Sequence, residues 1–368
     1  MEWTPARVGE AQILVGTILF GTCSVLMKYC LETFGFNPFV LNGMRSLFSA
    51  AMLSLSSSKL KAIFPEGTSK PDHFDILSYF RCLDTLPSDM RHRMEKYLWI
   101  LLNGLTGWCG TSFFIISILS VGASKAAFLL SLFIVFVPII EIGLYYPDTS
   151  RVSPKTLLGV VLAFVGTYLL CGCGWQCANG FKWGDLCGIL GAIGWASNII
   201  VQNMALRRNY CVVDLSLSSV VMSCVLSLSV GVAVDLSFFK PYGIPVQISA
   251  NAWFVVATIG VFEGIGYLLQ ALGFRHADPT KAGVLSGLES VTTLLVSHVF
   301  LGESMTSLEY LGCVVLFAGS LVVIAPPAEH VDDTKISSEC KHAVLPTEDP
   351  DELELESENN VELKRMKK

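Results

Sequence analysis

Between Asp278 and Ala325 the chain makes two apolar runs joined by a short polar break at Gly302-Glu303. The first, Val284 to Leu301, carries one carboxylate, Glu289, near its middle; the second, Tyr310 to Ala325, carries Gly312 and Gly319. A helix rises about 1.5 Å per residue and the hydrocarbon core of a bilayer is about 30 Å thick, so each run can cross it. A lone carboxylate inside such a helix is costly in lipid and must face protein or water. This hairpin is the pattern of a membrane protein with a polar interior.

The pattern recurs along the whole chain. Ten apolar runs can be drawn: Ala11–Cys30, Pro38–Leu55, Tyr97–Leu119, Gly122–Tyr146, Thr156–Gly174, Gly184–Leu206, Val212–Val234, Ala252–His276, Thr280–Leu301 and Leu308–Pro326. Charged residues make up 15% of the sequence, against about 25% in soluble domains. The formal net charge of −6 resides entirely in the tail after Pro326, which holds twelve Asp/Glu and six Lys/Arg. The membrane part is therefore balanced, and no basic surface points to nucleic acid.

The expected fold is an all-α integral membrane protein with ten transmembrane helices. Residues 1–10 form a short N-terminal segment without a signal-peptide pattern. Residues 59–96 form one long polar loop, with helical pieces expected only near Phe74–Leu83, and residues 327–368 form a disordered acidic tail. With both termini on one side, the loops of that side collect thirteen Lys/Arg and those of the other only Lys182 and Lys240. The positive-inside rule then puts both termini in the cytosol, in a plasma membrane or endomembrane setting.

The two halves repeat. Ser124-Lys125-Ala126-Ala127 opens the fourth run as Thr280-Lys281-Ala282-Gly283 opens the ninth, and Leu132 aligns with Leu288. Gly159, Phe164 and Gly166 of the fifth run answer to Gly312, Phe317 and Gly319 of the tenth. Each half has five helices, an odd number, so equivalent helices cross the membrane in opposite senses. That makes two inverted five-helix repeats, residues 11–174 and 184–326, an architecture used for alternating access around a midplane site.

These residues resemble the EamA-type branch of the drug/metabolite transporter superfamily. The resemblance is carried by Lys125 to Leu129 with Ser131 to Pro138, by Tyr267 to Gly273, by Ala282 to Glu289, by Leu301-Gly302-Glu303 and by Gly312 to Gly319. Pro38 with Arg45, and Gly194-Trp195-Ala196, are also similar to the family pattern. It implies ten helices, cytosolic termini and a central cavity between the halves. The sequence departs from it where Tyr146-Pro147-Asp148 replaces a Gly-Glu and where Ser290 follows Glu289.

The polar residues inside the runs are the candidates for that cavity. Glu263, Tyr267 and Gln270 share one face of the eighth helix. Glu263 and Glu289 are the proton-coupling candidates, a structural carboxylate being the other reading of Glu289. Arg45 suits an anionic substrate group or a structural pair with one of these acids. Asn198 and Gln202, an i, i+4 pair, line a cavity or bond between helices, and Trp108 and Trp195 stack a flat substrate or pack. Glu141, near a helix end, is expected at the membrane interface. Of the twelve cysteines most lie in apolar runs as small hydrophobes; Cys171, Cys173, Cys177 and Cys187 have no nearby His for zinc and are expected as free thiols.

No phosphate loop, metal-type His pair or nucleophile elbow is present, so no enzymatic activity and no cofactor are expected. The function read from the sequence is secondary-active transport of small organic metabolites, with protons as a candidate coupling ion and the lipid bilayer as setting. A nucleotide-sugar or sugar-phosphate exchanger is the alternative. A membrane scaffold or sensor acting through the acidic tail is the alternative of another class. A homodimer is compatible with the sequence.

Overall fold

The computed structural model describes residues 4–63, 88–121, 126, 129–145, 154–170, 183–237, 249–302 and 306–324. The sequence expectations for Phe74–Leu83, for Cys171, Cys173 and Cys177, and for the tail after Pro326 fall outside these residues. The helices are α1 Pro5–Phe34, α2 Pro38–Ile63, α3 Ser88–Val121, α4 Phe133–Tyr145, α5 Pro154–Leu170 and α6 Trp183–Arg207. They continue with α7 Val212–Ser237, α8 Ala250–Phe274, α9 Pro279–Gly287, α10 Glu289–Leu301 and α11 Ser307–Ile324.

Local chemistry sets the ends. Thr4 caps α1 by accepting from the Arg7 N–H, and Pro5 occupies the first turn, where its missing N–H costs nothing. Gly35 and Gly302 take left-handed φ of 66° at the ends of α1 and α10, a conformation glycine adopts without strain. Asn37 Oδ1 caps α2 through the Phe39 N–H at 2.9 Å.

α1 begins six residues before the apolar run that starts at Ala11, and α2 and α3 reach into the expected 59–96 loop from both sides. For α2 and α3 the extensions are paired beyond the apolar zone. Lys61 at the end of α2 and Lys96 near the start of α3 both meet Asp214, at 2.6 and 3.7 Å. Arg208 pairs with Glu95 and lies over the Trp99 ring.

Six described helices are long and apolar enough to cross a membrane, with α9 and α10 counting as one span, and three more are shorter apolar helices. α2, which carries Asn42 and Arg45 in its first half, completes ten passes. Large side chains such as Phe254, Val299 and Phe300 are about three-quarters exposed on the outside of the bundle. On a water-soluble protein such a surface would aggregate; against lipid tails it is solvated.

The repeat is visible in the packing. α3 packs on α6 as α8 packs on α1, while α2 pairs with α7 and α5 with α11. Gly110 meets Gly191 and Gly194 across the first of these contacts, and Gly266 meets Gly16 across the second. The α5–α11 contact is the closest: a Cβ on Gly166 would lie 2.3 Å from the Leu316 nitrogen, so only glycine permits this approach.

The two aligned leucines mark equivalent irregularities. The Leu132 N–H bonds to the Leu129 carbonyl at 3.3 Å, and the Leu288 N–H to the Leu285 carbonyl at 3.2 Å. Both are i→i−3 bonds, a local tightening of the helix within a membrane span. The chain regains its α-helical register at once, through Phe136 N–H to Leu132 and Thr292 N–H to Leu288. The two spans touch near these points, where Ser131 and Ser290 hydroxyls lie 3.0 Å apart.

Candidate substrate cavity

A cavity of about 60 Å³ lies in the middle of the bundle, walled by helices from both repeats. That volume holds roughly two water molecules. Arg45, Trp195, Glu263, Tyr267, Gln270 and Glu289 line it. The structure thus gathers six of the sequence candidates at one place.

Arg45 and Glu263 form a buried ion pair, Nη1 to Oε1 at 2.9 Å, with side chains 7% and 1% exposed. The glycines Gly260 and Gly264 of α8 bring the helices close enough for this: Cβ atoms there would strike the Arg45 carbonyl, Phe48 and Ser49. Asn42 accepts from Arg45 Nε at 2.9 Å and Nη2 at 2.5 Å, and itself donates to Ser227 at 2.7 Å. The guanidinium is therefore held on two sides. Glu263 Oε2, in contrast, is buried without a hydrogen-bond partner among the described residues.

Glu289 is the first residue of α10, directly after the tight turn at Leu288. Its Oε1 accepts from Ser24 of α1 at 3.2 Å. Gln270 Nε2 donates to Ser286 at 3.4 Å, and the Tyr267 ring meets Phe20 edge-on at 5.1 Å. Glu289, Ser24 and Met27 are half-buried, while Glu263, Tyr267 and Gln270 are buried.

Of the residues expected either to line a cavity or to bond and pack between helices, Trp108, Asn198 and Gln202 are not among those lining this cavity. On α6 the cavity-facing residues are Trp195 and Ile199. Asn198, one position from Ile199, is turned toward α3, where its Nδ2 donates to the Asn103 carbonyl at 2.8 Å and packs against Gly107. Gln202 follows it one turn on and is buried, with Nε2 unpartnered among the described residues. On α3 the wall is made by Thr111 and Phe114 in place of Trp108. Glu141 is also not at an exposed interface: it is 5% exposed and accepts from the Thr280 hydroxyl at 2.6 Å. The approach of α9 covers it.

The sequence reading missed Phe20, Ser24, Phe114 and Phe133. Phe133 was within reach, because aligning Leu132 with Leu288 sets it opposite Glu289. Ser24 carries no signal in an apolar run with several hydroxyls.

At the end of the bundle that carries Thr4, polar contacts within the second repeat tie α6 and its connection to α7 to the turn between α8 and α9. Asn203 Nδ2 donates to the carbonyls of Phe274 and Ala277 at 2.7 and 2.8 Å. Arg207 pairs with Asp278 at 3.1 Å, and Arg275 donates to Asn209, whose left-handed φ of 59° turns the α6–α7 connection.

The fold is a helical membrane bundle of two repeats around an interior cavity that is largely apolar and carries three charged side chains among the described residues. The profile of the EamA-like transporter family matches residues 7–172 and again 182–325, so the chain belongs to that family. An uncharacterized transporter of Archaeoglobus fulgidus is 23% identical over 317 residues, covering 86% of this chain and 96% of the relative. A second uncharacterized transporter of the same organism is 25% identical over 221 residues, 60% of this chain and 66% of that one. A solved crystal structure shares the fold with a TM-score of 0.57 at 16% identity, covering 84% of this chain and 98% of the other. The protein is an integral, multi-pass membrane transporter.

Proposed function

We propose that this transporter is a secondary-active carrier of small organic metabolites working by alternating access, with Glu289 as its proton-coupling group. The observation that carries the reading is the position of the cavity: it lies between the repeats, with Glu289 and Ser24 partly exposed and Glu263 and Gln270 buried beneath. The Glu141–Thr280 contact ties the two repeats together and closes the end nearer the N-terminus. Transport requires that this tie open and the opposite end close, a movement for which inverted repeats supply two equivalent arrangements. Of the two acids, Glu289 suits proton exchange because a single serine hydroxyl bonds it among the described residues, whereas Glu263 is fixed by Arg45.

The excess of Lys/Arg in the loops supports cytosolic termini, so the closed end is the cytosolic one. An exchanger of nucleotide sugars or sugar phosphates is less well supported. Arg45 is the one cation lining the cavity among the described residues, and it is committed to Glu263 and Asn42. Purified protein in liposomes, screened against pooled metabolites with and without a pH gradient, tests the proposal. Gradient-driven uptake should disappear in Glu289→Gln while the variant remains folded; unchanged uptake in that variant would refute the coupling role.

A further inference from the structure

We infer that the cavity takes an amphipathic organic cation: an ammonium group carried on an aryl or branched alkyl body. The inference rests on the carrier reading above and names its substrate class. Three charged side chains line the cavity among the described residues, Arg45, Glu263 and Glu289. The Arg45 charge is neutralised by Glu263 at 2.9 Å, and its Nε and Nη2 donate to Asn42. The unbalanced charge is one carboxylate, Glu289, and a second acceptor, Glu263 Oε2, is buried with no hydrogen-bond partner among the described residues. A ligand that completes this site brings positive charge and N–H or polarised C–H donors. An anionic ligand would bring a further negative charge to a site whose guanidinium is already engaged.

The arrangement of the walls supplies the second half of the argument. The cavity lies at equivalent positions of the two repeats, but the chemistry at those positions differs. The separation that relates Leu132 to Leu288 also relates Phe114 to Gln270, Leu130 to Ser286 and Phe133 to Glu289. The same relation puts Gly107 opposite Glu263. Gly110 and Gly266, related in this way too, make matching close contacts with α6 and α1, so the equivalence holds in three dimensions. Glu263, Gln270, Ser286 and Glu289 on the α8–α9–α10 side thus correspond to glycine, aromatic or aliphatic residues on the α3–α4 side, Tyr267 alone among the polar lining residues there having a polar counterpart, Thr111, and Trp195 and Ile199 of α6 extend the apolar wall. One wall recognises a cationic head; the other accepts its apolar body, with aromatic faces that favour a cation beside them. The present volume of about 60 Å³ is below the roughly 300 Å³ or more of ligand pockets, so the ligand enters when the repeats separate.

The test uses the full chain in detergent micelles with three probes of similar size: benzyltrimethylammonium, benzyl alcohol and phenylacetate. Tryptophan emission reports occupancy, since Trp195 lines the cavity, and a thermal-shift measurement checks each result. Saturable binding is expected for the ammonium compound and not for the other two. Glu289→Gln should weaken it by about ten- to hundredfold, the size of one charge-assisted contact, and Glu289→Asp should retain it within a few-fold. Binding of the alcohol or the acid as tight as the ammonium overturns the inference, as does no ammonium binding, or undiminished binding in a folded Glu289→Gln. The wild-type charge series decides even if that variant does not fold. Uptake in liposomes separates this inference from the carrier reading. Ammonium binding with no transport of any compound refutes the carrier and leaves the cavity chemistry standing. Uptake of a neutral or anionic metabolite that benzyltrimethylammonium does not inhibit refutes the cavity chemistry and leaves the carrier.

Discussion

The Arg45–Glu263 pair offers the sharpest energetic test of the structure. Arg45→Ala removes the only partner of Glu263 Oε1 among the described residues, where Oε2 has none already, so a carboxylate 1% exposed is left unpaired there. It also strips Asn42 Oδ1 of two donors. Breaking a buried pair from one side costs about 3–5 kcal/mol, chiefly because the remaining charge is stranded. Solvent screening cannot relieve much of this with side chains 7% and 1% exposed. Glu263→Ala should cost less, because the guanidinium keeps both bonds to Asn42. The double variant leaves no stranded carboxylate and should be more stable than the sum of the singles by about 2 kcal/mol, the coupling typical of directly contacting charges. Unfolding of the four proteins in mixed micelles, followed by tryptophan emission, measures the cycle. If the single variants each lose under about 1 kcal/mol and their effects add, the pair contributes nothing and the network running from Ser227 to Glu263 is refuted.

Other outcomes follow from the same contacts. Gly166→Ala forces a Cβ to within 2.3 Å of the Leu316 nitrogen; since backbone must move, the variant should lose about 1–3 kcal/mol, read as a lower unfolding temperature in detergent. Ser24→Ala removes the hydroxyl donor to Glu289 and should lower transport without affecting expression, with initial uptake rates as the check. Asn203→Ala frees the carbonyls of Phe274 and Ala277 and should loosen the end nearer the N-terminus, seen as faster maleimide labelling of a cysteine placed at Ser286. Labelling no faster than in the parent would show that the Asn203 bonds do not hold that end shut. Asn198→Ala should reduce stability but leave the substrate preference unchanged, since its amide bonds Asn103 away from the cavity.

Much of the architecture is legible in the order of residues alone. Hydrophobic period and length place the spans, because a bilayer admits backbone only with its hydrogen bonds made inside each helix. The alignment of Leu132 with Leu288 picks out two matching tight turns to the residue. Glu263, Tyr267 and Gln270 come together because three- and four-residue spacings fix a common helix face regardless of what that face meets. Trp195 and Arg45 stand out as well, each as an atypical residue in an apolar run.

What the sequence could not decide was rotation and proximity. Trp195 and Asn198 lie on adjoining faces of one helix, and only the docking of α6 on α3 sends the first to the cavity and the second to Asn103. Glu141 has the sequence position of an interface residue, yet α9 covers it. The partner of Arg45 is distant in sequence and is one of two candidate acids; the close approach at Gly260 and Gly264 selects Glu263 and leaves Glu289 to Ser24. Periodicity along one helix is a local property that sequence determines by itself. Which faces meet depends on small residues from two helices fitting together at once, and that only the tertiary structure decides.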